Sequence, residues 1–331
     1  TEAAAGACFK NLLLSDDYGE NWRVVQEYVV QYDWAANMKS HGGEYDADTV
    51  FATMHAGHHR GDAHQQFGQW DHRVDFVVSR DRFATHEVLV PRGNRFLFTE
   101  RYVAVATVAD AGNHVVLHLS GDGGQRFHAA ELEYPMTQHS YTILDTSSDA
   151  VFLNVNHGGE GARWGNVCLS NSIGTNFSLS LPHNRRDANG KCDFEKLQSM
   201  EGVYVANYYE NVAELEACAR LREAHDMGQD ISGRHDVEQL AADESLAPDA
   251  QVRTVITFDR GGSWEYLQPP RMDAWGQPIT CASHDHPGAA AAHHCSLHLH
   301  GITDVFGPFY STANAIGLLM VCLLLLLLLF C

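Results

Sequence analysis

Apolar runs of strand length recur along the chain, from Val115 to Leu119, Val151 to Val155, Val203 to Val205 and Val252 to Phe258, each bordered by polar, glycine-containing turns. Runs this short, rich in β-branched residues and closed off by turn residues, predict strands. Helical periodicity is confined to one region, Asn211 to Asp249, where Glu214-Leu-Glu-Ala-Cys-Ala-Arg-Leu-Arg-Glu223 passes into a polar, acidic stretch. That region predicts a partly helical insertion. A second insertion is expected at about 54–71, a histidine-rich stretch.

Beside the strands runs a repeated phrase: a hydroxyl residue, an aspartate two positions on, a glycine two further and an aromatic three after that. Its clearest copies are Ser15-Asp17-Gly19-Trp22, Ser120-Asp122-Gly124-Phe127 and Thr257-Asp259-Gly261-Trp264. Ser170-Ser172-Gly174-Phe177 and Ser79-Asp81-Phe83 keep the frame and lose one key residue each. An aspartate side chain accepts hydrogen bonds from the N–H groups of a tight turn, and glycine supplies positive φ. The hydroxyl ends one strand, and the aromatic opens the next and buries its ring against a neighbouring sheet. The phrase is therefore an Asp box stitching a hairpin. Its copies begin at 15, 79, 120, 170 and 257, and a repeat of roughly 40–50 residues is the signature of propeller blades. The wider gaps of 64 and 87 residues hold the two insertions. The fold expected is all-β, a partial Asp-box propeller of about five to six blades.

Composition narrows the function. The 331 residues carry 22 basic and 42 acidic side chains, a formal charge of −20, which argues strongly against nucleic acid as a partner. Twenty-one histidines would carry that sum to about +1 if all were protonated, so a step from neutral to acidic surroundings should matter to this surface. Of the eight cysteines, Cys281 and Cys295 bracket a short Ala-, His- and Gly-rich loop, and a disulfide there is expected. Asn176-Phe-Ser178 is a glycosylation sequon. Both features lean towards a secretory lumen. Spacing alone would let His58, His59 and His64, or His284, His286 and His294, meet zinc, but loop histidines in so histidine-rich a chain fix no ligand geometry. No metal and no cofactor are expected.

The chain opens on Thr1 with no charged-then-apolar leader, so its natural start is expected upstream. At the other end Ile316 to Cys331 is almost wholly apolar. As a helix it would span about 24 Å, short of a roughly 30 Å hydrocarbon core unless extended back towards Thr312. A membrane helix, a cleaved or truncated tail and a stretch outside the parent reading frame all remain open for 318–331. The segment is not expected in the propeller core of 1–317.

The phrases around the boxes resemble the sortilin-type vacuolar protein sorting receptors. They include Phe96-Leu-Phe98, Ser140-Tyr-Thr-Ile-Leu144, Leu169-Ser-Asn-Ser-Ile-Gly174-Thr, Met200-Glu-Gly-Val-Tyr-Val-Ala-Asn207, Ile256-Thr-Phe-Asp-Arg-Gly-Gly-Ser-Trp264 and Cys295-Ser-Leu-His-Leu-His300. The resemblance runs from about residue 11 to Gly317. It implies part of a ten-bladed luminal propeller of a type I membrane receptor. Such a receptor takes protein or peptide cargo, such as vacuolar or lysosomal hydrolases, from the Golgi to an endosome, vacuole or lysosome and releases it in acid. Membrane attachment would then come through a segment beyond this chain or through the leucine-rich tail. Some animal members hold a peptide with an aromatic, a tyrosine and an arginine; Phe98 and Tyr141 match the first two. The arginine falls near Val115, which cannot pair with a carboxylate.

Two other readings compete with the receptor. Sialidases also carry Asp boxes, but no Arg-Ile-Pro entry motif is present, and Glu100, Arg101 and Tyr102 are strand neighbours that point to opposite faces. Catalysis is therefore not expected. A secreted Asp-box binding module without a trafficking role differs from the receptor only in the family phrases.

Overall fold

A computed structural model describes residues 10–38, 45–55, 74–108, 114–138, 140–156, 162–187, 189–197, 200–226, 250–268, 270–272, 275–278, 299, 310–312 and 319–321. The chain forms two compact units, one of 1–155 with 168–178 and one of 156–167 with 179–331.

The first unit opens with a hairpin, β1 (Leu12–Leu14) and β2 (Arg23–Gln26). A four-stranded antiparallel meander follows, β3 (Val29–Trp34), β4 (Val50–His55), β5 (Val74–Ser79) and β6 (Glu87–Val90), paired in chain order. The next meander is β7 (Gly93–Phe98), β8 (Val103–Val108), β9 (His114–Ser120) and β10 (His128–Ala129), with β11 (Met136–Thr137) also on β9. Then come β12 (Tyr141–Asp145) and its partner β13 (Phe152–Val155); β14 (Trp164–Ser170) and β15 (Phe177–Arg185) have residues in both units. Small consecutive meanders of this kind are the building blocks of propellers.

The burial of each strand follows its place in the meander. β4, Val-Phe-Ala-Thr-Met-His, and β8, Val-Ala-Val-Ala-Thr-Val, are buried at every residue, because a second strand has sheet neighbours on both edges and packing on both faces. That is why they read as continuous apolar runs. Of the fourth strands, β10 is exposed and β6 is exposed at Glu87 and Val88. Between the sheets lie Phe51, Phe76, Val78, Phe96 and Val105 in one core cluster, and Leu117, Leu119, Leu153 and Val155 in another.

The second unit is built on β16 (Phe194–Lys196), β17 (Tyr204–Tyr209), β18 (Val252–Thr257) and β19 (Glu265–Tyr266), with β15 also paired to β17. Between β17 and β18 stands α1 (Val212–Asp226). Strand pairing runs unbroken to Tyr209–Val252, and the base of the insertion is clamped. Glu210 N–H donates to the Gln251 carbonyl at 2.9 Å, and Gln251 N–H to the Asn211 side-chain oxygen at 2.9 Å. The helix thus sits in a hairpin connection without breaking the ladder.

Of the insertion expected at about 54–71, residues 56–71 lie outside the described residues. Met54 pairs with Asp75 and His55 with Val74, so both complete β4 and are buried. Near the chain end, β20 (Tyr310–Thr312) pairs antiparallel with β21 (Leu319–Val321). Among the described residues no helix is long and apolar enough to cross a membrane.

Candidate functional site

The five copies of the phrase each sit in the turn between the last two strands of a repeat: β1/β2, β5/β6, β9/β10, β14/β15 and β18/β19. In the turn after β9, the Ser120 hydroxyl donates to Asp122 Oδ1 at 2.7 Å and accepts the Gly124 N–H at 2.8 Å. Asp122 Oδ1 also accepts the Arg126 N–H at 2.9 Å, and Oδ2 accepts Arg126 Nε at 2.9 Å. The same set recurs with Ser15, Asp17, Gly19 and Asn21. It recurs again with Ser79, Asp81, Phe83 and Thr85, and with Thr257, Asp259, Gly261 and Ser263.

One member of this constellation escaped the sequence phrase. The residue six positions after the hydroxyl, Asn21, Thr85, Arg126 or Ser263, closes the box with its own side chain on the carboxylate. Its identity varies and only its donor capacity is shared, so letter-matching passes over it.

These bonds favour the charged carboxylate. Burial pushes Asp122 up, but the Arg126 N–H, the Ser120 hydroxyl and the Arg126 side chain outweigh it and hold the group at about 2. The Ser263 hydroxyl and N–H, with Thr257, hold Asp259 at about 2. The Asn21 backbone and side chain lower Asp17, and those of Thr85 lower Asp81. Anions fixed this way are structural and have no proton to exchange near neutrality.

Two boxes depart from the phrase in instructive ways. At 79–86 the glycine position is Phe83, held at φ +66° yet buried against Leu12, Val29, Val50 and Val77. The aromatic has moved three positions forward and still reaches the neighbouring sheet. At 170–177, Ser172 stands where the aspartate would be, and Asn171 substitutes for it by accepting the Thr175 N–H at 2.9 Å.

The box aromatics cover neighbouring strands with one exception. Phe127 packs edge-on to Phe76, ring centroids 5.7 Å apart, and in the second unit Trp264 meets Phe194 at 6.1 Å and donates to the Ser180 hydroxyl at 3.1 Å. Trp22, expected between sheets, is 62% exposed. Its ring lies back over its own turn, 3.6 Å from a Cβ built on Gly19, and its N–H bonds the Gly19 carbonyl at 3.0 Å. Its remaining surface borders an open cleft that Tyr32, Trp34 and Val50 of the next sheet also line.

The two candidate cargo residues lie on the first strands of successive repeats. Phe98, on β7, is half-buried and meets Phe51 at 5.6 Å and Phe96 at 5.2 Å. Tyr141, on β12, is half-buried against the Leu117–Leu153 cluster. Burial pushes its hydroxyl up to about 12, opposed by the charge of Arg95. Val115, the position aligned with the missing arginine, is buried in the same core cluster. Arg95, on β7 and exposed, is the cation the sequence reading passed over. Its charge acts on the Tyr141 hydroxyl although 46 positions separate the two in sequence. Close by, Gln31 of β3 grips the Phe96 main chain, donating to its carbonyl at 2.7 Å and accepting its N–H at 3.2 Å.

Asn176 is exposed at the end of its box turn. Cys281, Cys295 and the histidine sets at 58–64 and 284–294 lie outside the described residues, and the described ones hold no cluster of three or more metal-binding side chains.

Residues 1–322 match the family model described as Sortilin, neurotensin receptor 3. The chain is 29% identical to the vacuolar protein sorting/targeting protein 10 of Aspergillus fumigatus over 96% of its length. It is 32% identical to that of Leptosphaeria maculans over 75% of its length, and 25% identical to that of Debaryomyces hansenii over 93%. It spans 19%, 15% and 17% of those relatives, respectively. Among solved structures, a Niastella koreensis GH74 enzyme aligns at 12% identity over 78% of this chain and 45% of that one, with a TM-score of 0.25, too weak a likeness to carry an argument.

Proposed function

The chain belongs to the Sortilin-Vps10 family, and from that premise we propose that it is part of the luminal cargo-binding region of a sorting receptor. The observation that carries this reading is the family match across almost the whole chain, on a scaffold whose Asp boxes are bonded for rigidity and not for chemistry. The curated relatives are named for vacuolar protein sorting or targeting. The cargo is a protein or peptide, carried between Golgi and endosome or vacuole.

Phe98 and Tyr141 supply apolar and hydroxyl contacts to that cargo, with Arg95 as the nearby cation. Asn176 carries a glycan, Cys281 bonds Cys295, and membrane attachment comes through the leucine-rich tail or a segment outside this chain. Acid release rests on histidines more exposed than His118, whose pKa is lowered by burial.

The test is a sorting assay. A fungal cell relying on the complete receptor with Phe98→Ala, Tyr141→Ala and Arg95→Ala together should secrete a soluble vacuolar hydrolase that the unaltered receptor retains. Normal retention, with the variant receptor present at its usual level, would remove these residues from the cargo site. A mobility shift on deglycosylation, lost in Asn176→Gln, checks the glycan.

A further inference from the structure

Within the first unit a groove of about 580 Å³ runs between β2 with the turn after it and the outer strands β5 and β6. Its walls include Val24 and Val88, which are 51% and 46% exposed although each belongs to a strand, and Val77 lies buried at its floor. Two carboxylates, those of Glu27 and Asp75, also line it beside the imidazoles of His55 and His86, and its lining among the described residues holds no lysine or arginine. Asp75 uses one oxygen to accept the Arg92 N–H at 2.8 Å, while at Glu27 it is the main-chain carbonyl that accepts Gln26 Nε2 at 3.1 Å.

Exposed branched aliphatics on two strands, facing each other across half-buried carboxylates, are complementary to one chemistry: a cation flanked by apolar residues. We propose that this rim groove binds an extended protein segment in which an arginine or lysine is flanked by aliphatic side chains. The cation would meet the Glu27 and Asp75 carboxylates while its neighbours cover Val24 and Val88. A chain with a formal charge of −20 adds long-range attraction for such a segment. The groove is distinct from Phe98, Tyr141 and Arg95, which lie on β7 and β12, so the cargo assignment stands or falls separately.

The test uses the 331-residue chain and two labelled peptides, one centred on Val-Arg-Val and one on Val-Glu-Val, followed by fluorescence anisotropy at low salt. The arginine peptide should bind and the glutamate peptide should bind at least tenfold more weakly. Glu27→Gln should weaken the arginine peptide by about fivefold, in the range of a partly screened charge pair. Val88→Lys, which puts a cation on an exposed wall, should abolish binding while far-UV circular dichroism stays unchanged. The Phe98→Ala variant should bind the peptide as the unaltered chain does. Absence of binding, equal binding of the two peptides, or unchanged binding in both groove variants would overturn the proposal.

Discussion

Replacing Asp122 with alanine should destabilise the first unit by about 2–3 kcal/mol. The carboxylate accepts hydrogen bonds from the Ser120 hydroxyl, the Gln125 and Arg126 N–H groups and the Arg126 side chain. Bonds to a charged acceptor are worth about 1.5–3 kcal/mol each when buried, but the Arg126 side chain is 80% exposed and its share is small. The buried end dominates, where Ser120 would lose its acceptor while still holding the Gly124 N–H. The same bonds set the acidity of the group. A carboxyl held at about 2 instead of 3.8 represents about 2 kcal/mol of preference for the charged form. Because the folded value is depressed, this stability is fully present above the unfolded value and is lost only as pH falls from about 4 through about 2. Urea unfolding followed by tryptophan fluorescence is the assay, at pH 7 and pH 5. The deficit of Asp122→Ala should be equal at the two pH values, and Asp122→Asn, which keeps one acceptor oxygen, should lose less. A loss below about 0.5 kcal/mol, or one that vanishes at pH 5, would show that the carboxylate does not hold this turn.

Three further substitutions test other parts of the account. Phe83→Ala should lose about 3–5 kcal/mol of burial and keep the strain of positive φ, whereas Phe83→Gly relieves that strain; thermal unfolding should rank the glycine variant above the alanine one by about 1 kcal/mol. Gly93→Ala should cost about 1–3 kcal/mol by denaturant titration, because the new Cβ would lie 2.6 Å from the Phe76 Cβ and 3.0 Å from the Val90 carbonyl. In the second unit, Asn207→Ala should cost about 3 kcal/mol by the same measurement. Its fully buried amide donates to Asp193 Oδ2 and the Leu299 carbonyl at 3.0 and 2.9 Å and accepts the Thr254 hydroxyl at 2.6 Å, all left without that partner.

What the sequence discloses about this fold is what recurs locally. A hydroxyl, an aspartate, a glycine and an aromatic at set spacing identify a self-bonded turn because every bond in it spans at most four residues. The all-β class follows, since second strands such as β8 are buried on both faces and spell that out in valine and alanine. What stays hidden is decided by chemistry shared among unlike letters or by packing across repeats. Asn21, Thr85, Arg126 and Ser263 close the same box with four different side chains. Phe83 fills the neighbouring sheet from a glycine's position. Trp22 has the same local setting as Trp264 and a different fate, because burial depends on what lies opposite. Arg95 gains meaning only through its charge on Tyr141, a residue of another repeat. The family phrases go further than physics could alone, since nothing in a hairpin's geometry distinguishes a receptor from any other binding propeller.

The most direct test of the receptor assignment is surface plasmon resonance of the 331-residue chain against a soluble vacuolar hydrolase precursor at pH 7 and pH 5. Binding should be saturable at pH 7, weakened at least tenfold by Phe98→Ala with Tyr141→Ala and weakened again at pH 5 with the fold intact. A folded chain that bound no such precursor at pH 7, or bound it equally with both residues replaced, would contradict the assignment.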